Sequence, residues 1–242
     1  MLLDATTLSQ FDEWLAEAQS SGGVALIDKQ KGWTSFDVIA KMRGITRIKK
    51  TGHAGTLDPL ATGLLIVCCG RAATKTIDTY QAQRKEYRTV VKLGATTKTD
   101  DAEGEEENIL PTDGILLKDI EEVLKDFQGE ISQVPPMYSA IKKDGVPMYK
   151  LARKDITVEI APRNITIYSL KIIEFNSPFI TLDVECSKGT YIRSLARDIG
   201  KALGCGGFMA DLRRTAIGEY RVENAVTIDQ IRQQMLLKTE SI

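Results

Sequence analysis

The strongest constraint on the fold is a series of short apolar segments with the length and composition of β-strands. They are rich in Val, Ile, Leu and Thr, which favour extended backbone. The segments predicted as strands are 23–29, 63–70, 85–94, 137–143, 163–175, 179–187 and the first part of 207–220. These outnumber the predicted helices, and few follow the strand–helix–strand alternation of a parallel sheet. The sequence therefore predicts an α+β fold with a large mixed, mainly antiparallel sheet flanked by helices and loops.

Helices are predicted where apolar residues recur at three- and four-residue spacing. This pattern occurs near the N-terminus and at 34–44, 71–81, 117–129, 191–204 and 226–236. Thr34 and Asp37 have the spacing of a capping box, and Gly44 is predicted to end the second helix. Residues 95–114 are polar, acidic and contain glycine, which predicts an exposed insertion.

The 242 residues suit a principal domain at 23–242 preceded by an acidic helical extension at 1–22. The extension carries four acidic residues and no Lys or Arg, whereas a signal peptide begins with positive charge. The sequence contains no run of about 18 apolar residues, which is the length that a membrane-spanning helix needs. We therefore expect a cytoplasmic protein with no membrane association.

Charge and cysteine usage exclude some functions without selecting one. The net charge is −1, yet basic residues concentrate in the windows 28–53, 142–154 and 187–214, while acidic ones gather at 100–107. Taken alone, such windows are better explained as solvated faces than as an RNA-binding surface. The four cysteines form no CxxC pair, so we expect buried free thiols and neither a disulfide framework nor a metal site.

The loop TGHAGTLDPLATG, residues 51–63, holds the only histidine of the chain, His53, and an aspartate before proline, Asp58. Two such groups are too few for a catalytic metal, and neither a G-x-S-x-G elbow nor a Walker A motif is present. Two interpretations remain. Asp58 could cap a turn while His53 bonds the backbone, or a rigid loop could present Asp58 as a lone carboxylate nucleophile or base.

Further motifs occur in order along the chain: DKQKGWTSFDVIAKMR, GHAGTLDPLATGLLIVCCGRAATK, KEYRTVVKLGATTKTDDAEG, QVPPMYSAIKKDGVPMYKLAR, CSKGTYIRSLARDIGKALGCGG and LRRTAIGEY. Together they resemble the TruB family of bacterial tRNA pseudouridine synthases, from about residue 23 to 220. The resemblance implies the pseudouridine synthase fold, isomerisation of the uridine at position 55 in the T loop of tRNA, and no cofactor. It also implies the tRNA T arm as partner, and we expect a monomer that needs no protein partner.

The resemblance also implies roles for individual residues. Asp58 matches the catalytic aspartate of the family. Tyr87 of KEYR matches the aromatic residue that stacks on the target base and serves the later proton step. Arg193 of GTYIRS matches the arginine that pairs with the catalytic carboxylate, which a nearby cation holds in its charged form.

Other residues are implied to handle the RNA. His53 matches a residue that contacts RNA where the flipped nucleotide leaves the loop, and is not the base. Lys75 and Leu212 match residues that support and contact the uridine. With the resemblance, the three basic windows are expected to line the phosphate path rather than to be solvated faces, and Lys29 and Lys31 belong to the first of them.

The chain departs from the family pattern at its ends. Many family members carry a C-terminal RNA-binding module of the PUA type, and only 22 residues follow Tyr220, so we expect no such domain here. A tRNA-binding or tRNA-folding protein with secondary catalysis is the alternative function.

Overall fold

The computed structural model describes residues 1–239 except 140, 144, 153, 155 and 157. Two positions of the basic window 142–154, Asp144 and Arg153, therefore lie outside the described residues. The chain divides into two compact units. Unit 1 comprises Met1–Tyr87 and Arg213–Ile242, and unit 2 comprises Arg88–Leu212.

The elements of the described residues alternate irregularly along the chain. The helices are α1 (Phe11–Ser20), α2 (Ser35–Thr46), α3 (Arg71–Thr74), α4 (Ile77–Ala82), α5 (Leu117–Lys125), α6 (Met148–Ala152), α7 (Ile192–Ala202) and α8 (Ile228–Thr239). The strands are β1 (Leu2–Leu3), β2 (Gly23–Lys29), β3 (Thr51–His53), β4 (Thr62–Cys69), β5 (Lys85–Leu93), β6 (Thr96–Thr97), β7 (Glu106–Glu107), β8 (Gly129–Gln133), β9 (Lys142–Lys143), β10 (Val146–Pro147), β11 (Arg163–Asn176), β12 (Phe179–Cys186), β13 (Gly207–Ile217) and β14 (Tyr220–Arg221).

The principal sheet has ten strands among the described residues, with both parallel and antiparallel pairs. Most of the described pairings are antiparallel, and helices accompany the strands in both units. The predicted α+β fold with a mixed sheet is confirmed.

Unit 1 is built on β2 and β4, which pair antiparallel with Ile27 opposite Leu65. β1 lies parallel to β2, while β3 is antiparallel to β4. Both faces of these strands are covered. Odd-numbered residues of β2 and β4 pack with α1, α2 and α8, whereas the even-numbered residues belong to a second cluster with Ala73 and Val222. A strand buried on both faces needs no polar alternation, which explains the unbroken apolar run of β4.

A close backbone approach joins β4 to the C-terminal half of β13, which runs parallel to it. Gly63 has a φ of +101°, and a Cβ placed on it would lie 2.3 Å from the carbonyl oxygen of Arg214. Only glycine fits this position, because any side chain would strike the neighbouring strand. The glycine therefore lets β13 pass directly beneath the end of the 51–63 loop.

Unit 2 is built on the long strand β11, which pairs antiparallel with β12 on one side and β8 on the other. Alternate residues of β11 and β12, such as Ile165, Ile167, Leu182 and Val184, are buried. The helices α5 and α7 bury the apolar faces predicted from their sequence. Two polar residues of α7, Arg193 and Ser194, are buried as well.

Several sequence predictions need correction. α2 does not end at Gly44 but continues to Thr46, and Arg47 adopts the left-handed cap conformation with φ 62°. Among the described residues of the strand expected at 137–143, only Lys142–Lys143 form a strand, β9. The insertion at 95–114 is exposed only in part, because Thr97 and Asp101 are buried.

The predictions on helix capping and on the cysteines are confirmed. The capping box of Thr34 and Asp37 is present, with the Thr34 side chain accepting from the Asp37 amide and Asp37 accepting from the Thr34 amide. The four cysteines are buried free thiols. Across the described residues, no helix is long and apolar enough to cross a membrane.

Candidate active site

The loop that carries Asp58 is held on both sides of the aspartate. The hydroxyl of Ser35, at the start of α2, donates to the Leu57 carbonyl at 3.0 Å and accepts from the Leu57 amide at 2.8 Å. After Asp58, the Pro59 carbonyl accepts from the Gly32 amide at 2.8 Å, and the Ala61 amide donates to the Asp58 carbonyl at 3.1 Å. Asp58, whose side chain is half-buried, therefore lies on a backbone that has little freedom to move.

A buried arginine supports the same loop from β13. Arg214 is 1% exposed, and its guanidinium donates to the carbonyls of Leu64 at 2.8 Å and Gly55 at 3.1 Å. Charge-assisted bonds to backbone carbonyls are strong in a site of low dielectric. Arg214 thus ties the glycine-rich turn to the strand that follows it.

His53 ends β3, opposite Val67 of β4. Its Nδ1 is buried and has no hydrogen-bond partner among the described residues. Burial and the nearby Arg214 charge both lower the pKa of His53 from its ordinary value of 6.5. The imidazole is therefore neutral at pH 7 and carries no charge toward a ligand.

In unit 2, Arg193 of α7 is held in a buried polar network. Its Nη1 donates to the Thr99 carbonyl at 3.1 Å and lies 3.5 Å from the Asp101 carboxylate, while Nη2 donates to the Tyr138 carbonyl at 2.8 Å. Asp101 is 1% exposed and also accepts from the Thr99 hydroxyl at 2.6 Å. A guanidinium with so many fixed bonds has one orientation.

One turn later on α7, Arg197 forms a second set of ion pairs. It lies 2.9 Å from the carboxylates of both Asp100 and Asp198. Burial raises the pKa of Asp100 even though Arg197 lies beside it. The acidic pair at 100–101 thus binds two arginines spaced one helical turn apart.

The remaining predicted residues lie in different surroundings. Tyr87 is half-buried on β5, Lys31 and Lys75 are exposed, and Leu212 is buried on β13. Lys29 is 1% exposed, and its ammonium donates to the carbonyls of Gln30 at 3.1 Å and Trp33 at 2.6 Å. Its charge stabilises the turn before α2, and its contact with RNA stays a prediction.

The two units share the predicted residues unequally. Unit 1 contains His53, Asp58, Lys75, Tyr87, Lys29 and Lys31, and unit 2 contains Arg193 and Leu212. The 51–63 loop brings His53 and Asp58 into one supported segment. The pairing of Arg193 with Asp58 stays a prediction.

Sequence reasoning missed Ser35, Arg214, Asp101 and Asp100. The sequence does indicate the last two. It has adjacent aspartates in a threonine-rich turn and two arginines four residues apart on a predicted helix, where they lie on one face and can pair with the aspartates. Among the described residues, no group of three or more His, Cys, Asp or Glu side chains could hold a metal ion.

Comparisons with known proteins show to which family the chain is similar. A family model for the N-terminal domain of TruB family pseudouridylate synthase matches residues 43–192. One for the C-terminal domain of tRNA pseudouridylate synthase B matches residues 193–241. The tRNA pseudouridine synthase B of Parabacteroides distasonis is 47% identical over 229 residues, which cover 91% of this chain and 97% of that protein.

Solved structures agree. The chain matches one in a Cbf5-Nop10-Gar1 complex with a TM-score of 0.71 and 29% identity over 94% of this chain. It matches one in an H/ACA RNP bound to a substrate RNA containing 2′-deoxyuridine with a TM-score of 0.67 and 28% identity over 90% of this chain. This chain spans only 59% and 55% of those two solved chains.

The fold and the sequence matches define the class: the protein is a pseudouridylate synthase, an isomerase. Within that class, the chain belongs to the TruB family. The resemblance carried by the ordered motifs, and with it the pseudouridine synthase fold, is confirmed.

Proposed function

We propose that this chain isomerises uridine to pseudouridine at position 55 in the T loop of tRNA, by flipping the base and using Asp58. Relatives named as tRNA pseudouridine synthases support tRNA as the substrate. The observation that carries the proposal is the loop of Asp58, which is bonded before the aspartate to Ser35 of α2 and after it, at Leu64, to Arg214 of β13. Catalysis that depends on positioning requires such a support, since a displacement near 1 Å is costly.

The reaction needs no external oxidant or group donor. The N1–C1′ bond breaks, the uracil ring turns, and a C5–C1′ bond forms. The proton on C5 leaves, and N1 gains one, so atoms and electrons balance within the nucleotide. A carboxylate at the sugar can act on C1′ or remove a sugar proton, and either route uses Asp58. One carboxylate suits a reaction that excludes water, whereas glycoside hydrolysis uses a second to activate it.

Two further residues take part in the proposed chemistry. Arg193 is the proposed partner that keeps the Asp58 carboxylate charged and aimed, and its own bonds to Thr99 and Tyr138 fix its orientation. Tyr87 offers an aromatic face to the flipped uracil and a hydroxyl for the proton at C5.

The remaining residues handle the RNA. His53 occupies the space that the flipped nucleotide vacates, where a neutral imidazole can stack or hydrogen-bond. Lys75 and Leu212 support and contact the uridine, while the exposed Lys31 contacts phosphates. Lys29 stabilises the turn before α2, and its own contact with RNA stays a prediction. The proposed enzyme works without a cofactor or protein partner, as a monomer, in the cytoplasm where tRNA is modified.

The decisive experiment uses unmodified tRNA with tritium at uridine C5, because isomerisation releases that tritium to water. Wild-type protein should release it from position 55, and Asp58→Asn should abolish release while tRNA binding persists. Asp113→Asn makes the same change at an exposed loop carboxylate and should leave the rate unchanged. Full activity of Asp58→Asn, or no release by well-folded wild-type protein, would contradict the proposal.

A further inference from the structure

The outer face of α2, defined here as Phe36, Ala40, Lys41, Gly44 and Arg47, is exposed throughout. Residues 36, 40, 44 and 47 are three or four positions apart, so they share one side of the helix. The opposite side, with Val38, Ile39 and Met42, is buried in the core of unit 1. The outer face combines an aromatic ring, small residues and cations.

Two residues of this face are unfavourable for the isolated protein. Phe36 leaves 64% of its surface in water. Gly44 lies in the helix interior, where glycine is about 1 kcal/mol less favourable than alanine. A Cβ on Gly44 would meet nothing within 4 Å, so packing does not demand a glycine. Departures from local preference without an internal reason concentrate at functional surfaces.

The aromatic rings on this side of unit 1 are each accompanied by a cation. The guanidinium carbon of Arg43 lies 5.9 Å from the Phe36 ring centroid, and the Lys41 ammonium lies 5.8 Å from that of Trp33. Arg43 is anchored, because its Nη2 donates to the Thr51 carbonyl at 2.8 Å. The acidic residue of the same turn, Asp37, is hydrogen-bonded to Thr34 in the capping box. Rings and cations in such an arrangement bind unpaired bases and phosphates.

The position of α2 connects this face to the candidate active site. The helix begins at Ser35, which bonds Leu57 next to Asp58. It ends at a turn with the exposed Arg47, Lys49 and Lys50, from which β3 leads to His53. A helix of 12 residues is about 18 Å long, enough to follow several nucleotides.

We propose that the outer face of α2 binds the RNA strand that leads away from the target nucleotide. Lys41 and Arg47 contact phosphates, Phe36 stacks on an unpaired base, and the sugar-phosphate backbone passes over Gly44. The inference rests on the proposed function, since it assigns a second contact to the same RNA. It explains why an exposed phenylalanine and a helical glycine occur beside a cluster of cations.

The test measures tRNA binding against salt, together with single-turnover isomerisation at saturating tRNA. Lys41→Gln with Arg47→Gln should weaken binding about tenfold and lower the slope of log affinity against log salt by about 1.4–1.8. The matched control, Lys118→Gln with Lys125→Gln, removes two charges from the exposed side of α5 and should change neither quantity. The single-turnover rate of the α5 control should stay within about twofold of wild type, because it alters no residue of the proposed catalytic or RNA-binding surfaces.

Gly44 and Phe36 test the other contacts. Gly44→Gln should weaken binding while raising the melting temperature or leaving it unchanged, because glutamine favours helix more than glycine does. Gly44→Ala, with its small side chain, should bind almost as wild type. Phe36→Ala should weaken binding without changing the salt slope, since stacking releases no counterions.

The outcomes separate the two proposals. Unchanged affinity and slope in the α2 variants, or an equal fall in the α5 control, would overturn the α2 surface and leave the isomerase standing. Binding that depends on α2, with no tritium release by wild type, would support the surface and contradict the activity. Failure of wild type to bind tRNA would overturn both.

Discussion

At the scale of single residues, the ionisable groups around the site have opposite roles. Arg193 and Asp101 are both nearly inaccessible to water, and each satisfies the other together with backbone carbonyls or hydroxyls. A buried ion pair of this kind adds little net stability, because desolvation offsets most of the attraction. Its consequence is orientation, since Arg193 can take only the position that the network allows.

His53, by contrast, is half-buried beside the cation of Arg214, which gives a prediction for pH. Its folded-state pKa is lowered by burial and by Arg214, so below pH 6.5 the unfolded chain binds a proton that the folded chain resists. Stability should therefore fall as pH decreases from 7 toward the folded-state pKa. Urea unfolding at several pH values should show this fall in wild type and a smaller one in His53→Gln.

His53 is the only histidine of the chain, so the difference between the two proteins isolates its titration from that of the carboxylates. Equal pH dependence of wild type and His53→Gln would show that the imidazole keeps its ordinary pKa. The same neutrality predicts that the imidazole of His53 adds no positive charge toward the RNA at pH 7.

At the scale of elements, the N-terminus of α2 separates stability from positioning. Thr34 caps the helix, and Thr34→Ala should lower stability by about 1 kcal/mol with little effect on isomerisation. The neighbouring Ser35 bonds the loop instead, and Ser35→Ala leaves the buried amide and carbonyl of Leu57 without that hydroxyl. It should lower stability by about 1–3 kcal/mol and reduce the rate as well, because Leu57 precedes Asp58.

The check is a urea midpoint and a single-turnover rate for each variant, measured where both remain folded. If the rate falls only in proportion to the loss of stability, and does so equally in Thr34→Ala and Ser35→Ala, then Ser35 does not position the loop. Ser35→Thr keeps the hydroxyl and should recover more of the rate than Ser35→Ala does.

The elements that sequence predicts best are those governed by local pattern. The bounds of β2 follow directly from its apolar run, and the capping box locates the start of α2. The predicted end of α2 is wrong. Glycine usually ends a helix, which favours Gly44, but contacts of Ile45 and Thr46 with the core extend the helix by two residues. Long-range packing overrode a local preference there.

The residues of the candidate site also differ in how well the sequence predicts them. Asp58 is predicted as catalytic because its loop has the specific sequence of the family motif, whereas a polar, acidic segment gives no sign that Asp101 is buried. Its neighbours Asp100 and Ala102 exchange backbone bonds with Met209, which is more than 100 residues away in the chain, so its burial depends on long-range pairing. Likewise, nothing local indicates that Arg214 is buried beneath the loop while the adjacent Arg213 pairs with Asp28.

At the scale of the whole molecule, near-neutral net charge conceals segregated charge. The chain has 32 basic and 33 acidic residues, yet Glu105, Glu106 and Glu107 are exposed together in and before β7. β7 pairs with β6, and the hydroxyl of Thr97 in β6 donates to the Asp101 carbonyl at 2.8 Å, so the three glutamates lie close to Asp101. Lys92 and Lys98 pair with Glu106 and Glu107, so we expect this acidic rim, residues 105–107, to repel RNA only weakly.

This arrangement predicts that the rim contributes to selectivity. Glu105→Gln with Glu107→Gln should tighten binding of unrelated single-stranded RNA about two- to fivefold at low salt, because the lost repulsion acts within about 10 Å. Isomerisation of tRNA should change little. Glu13→Gln with Glu223→Gln changes net charge equally at exposed positions of unit 1 and should have a smaller effect. If both pairs tighten binding equally, net charge rather than its placement controls selection, and raising the salt should then remove both effects together.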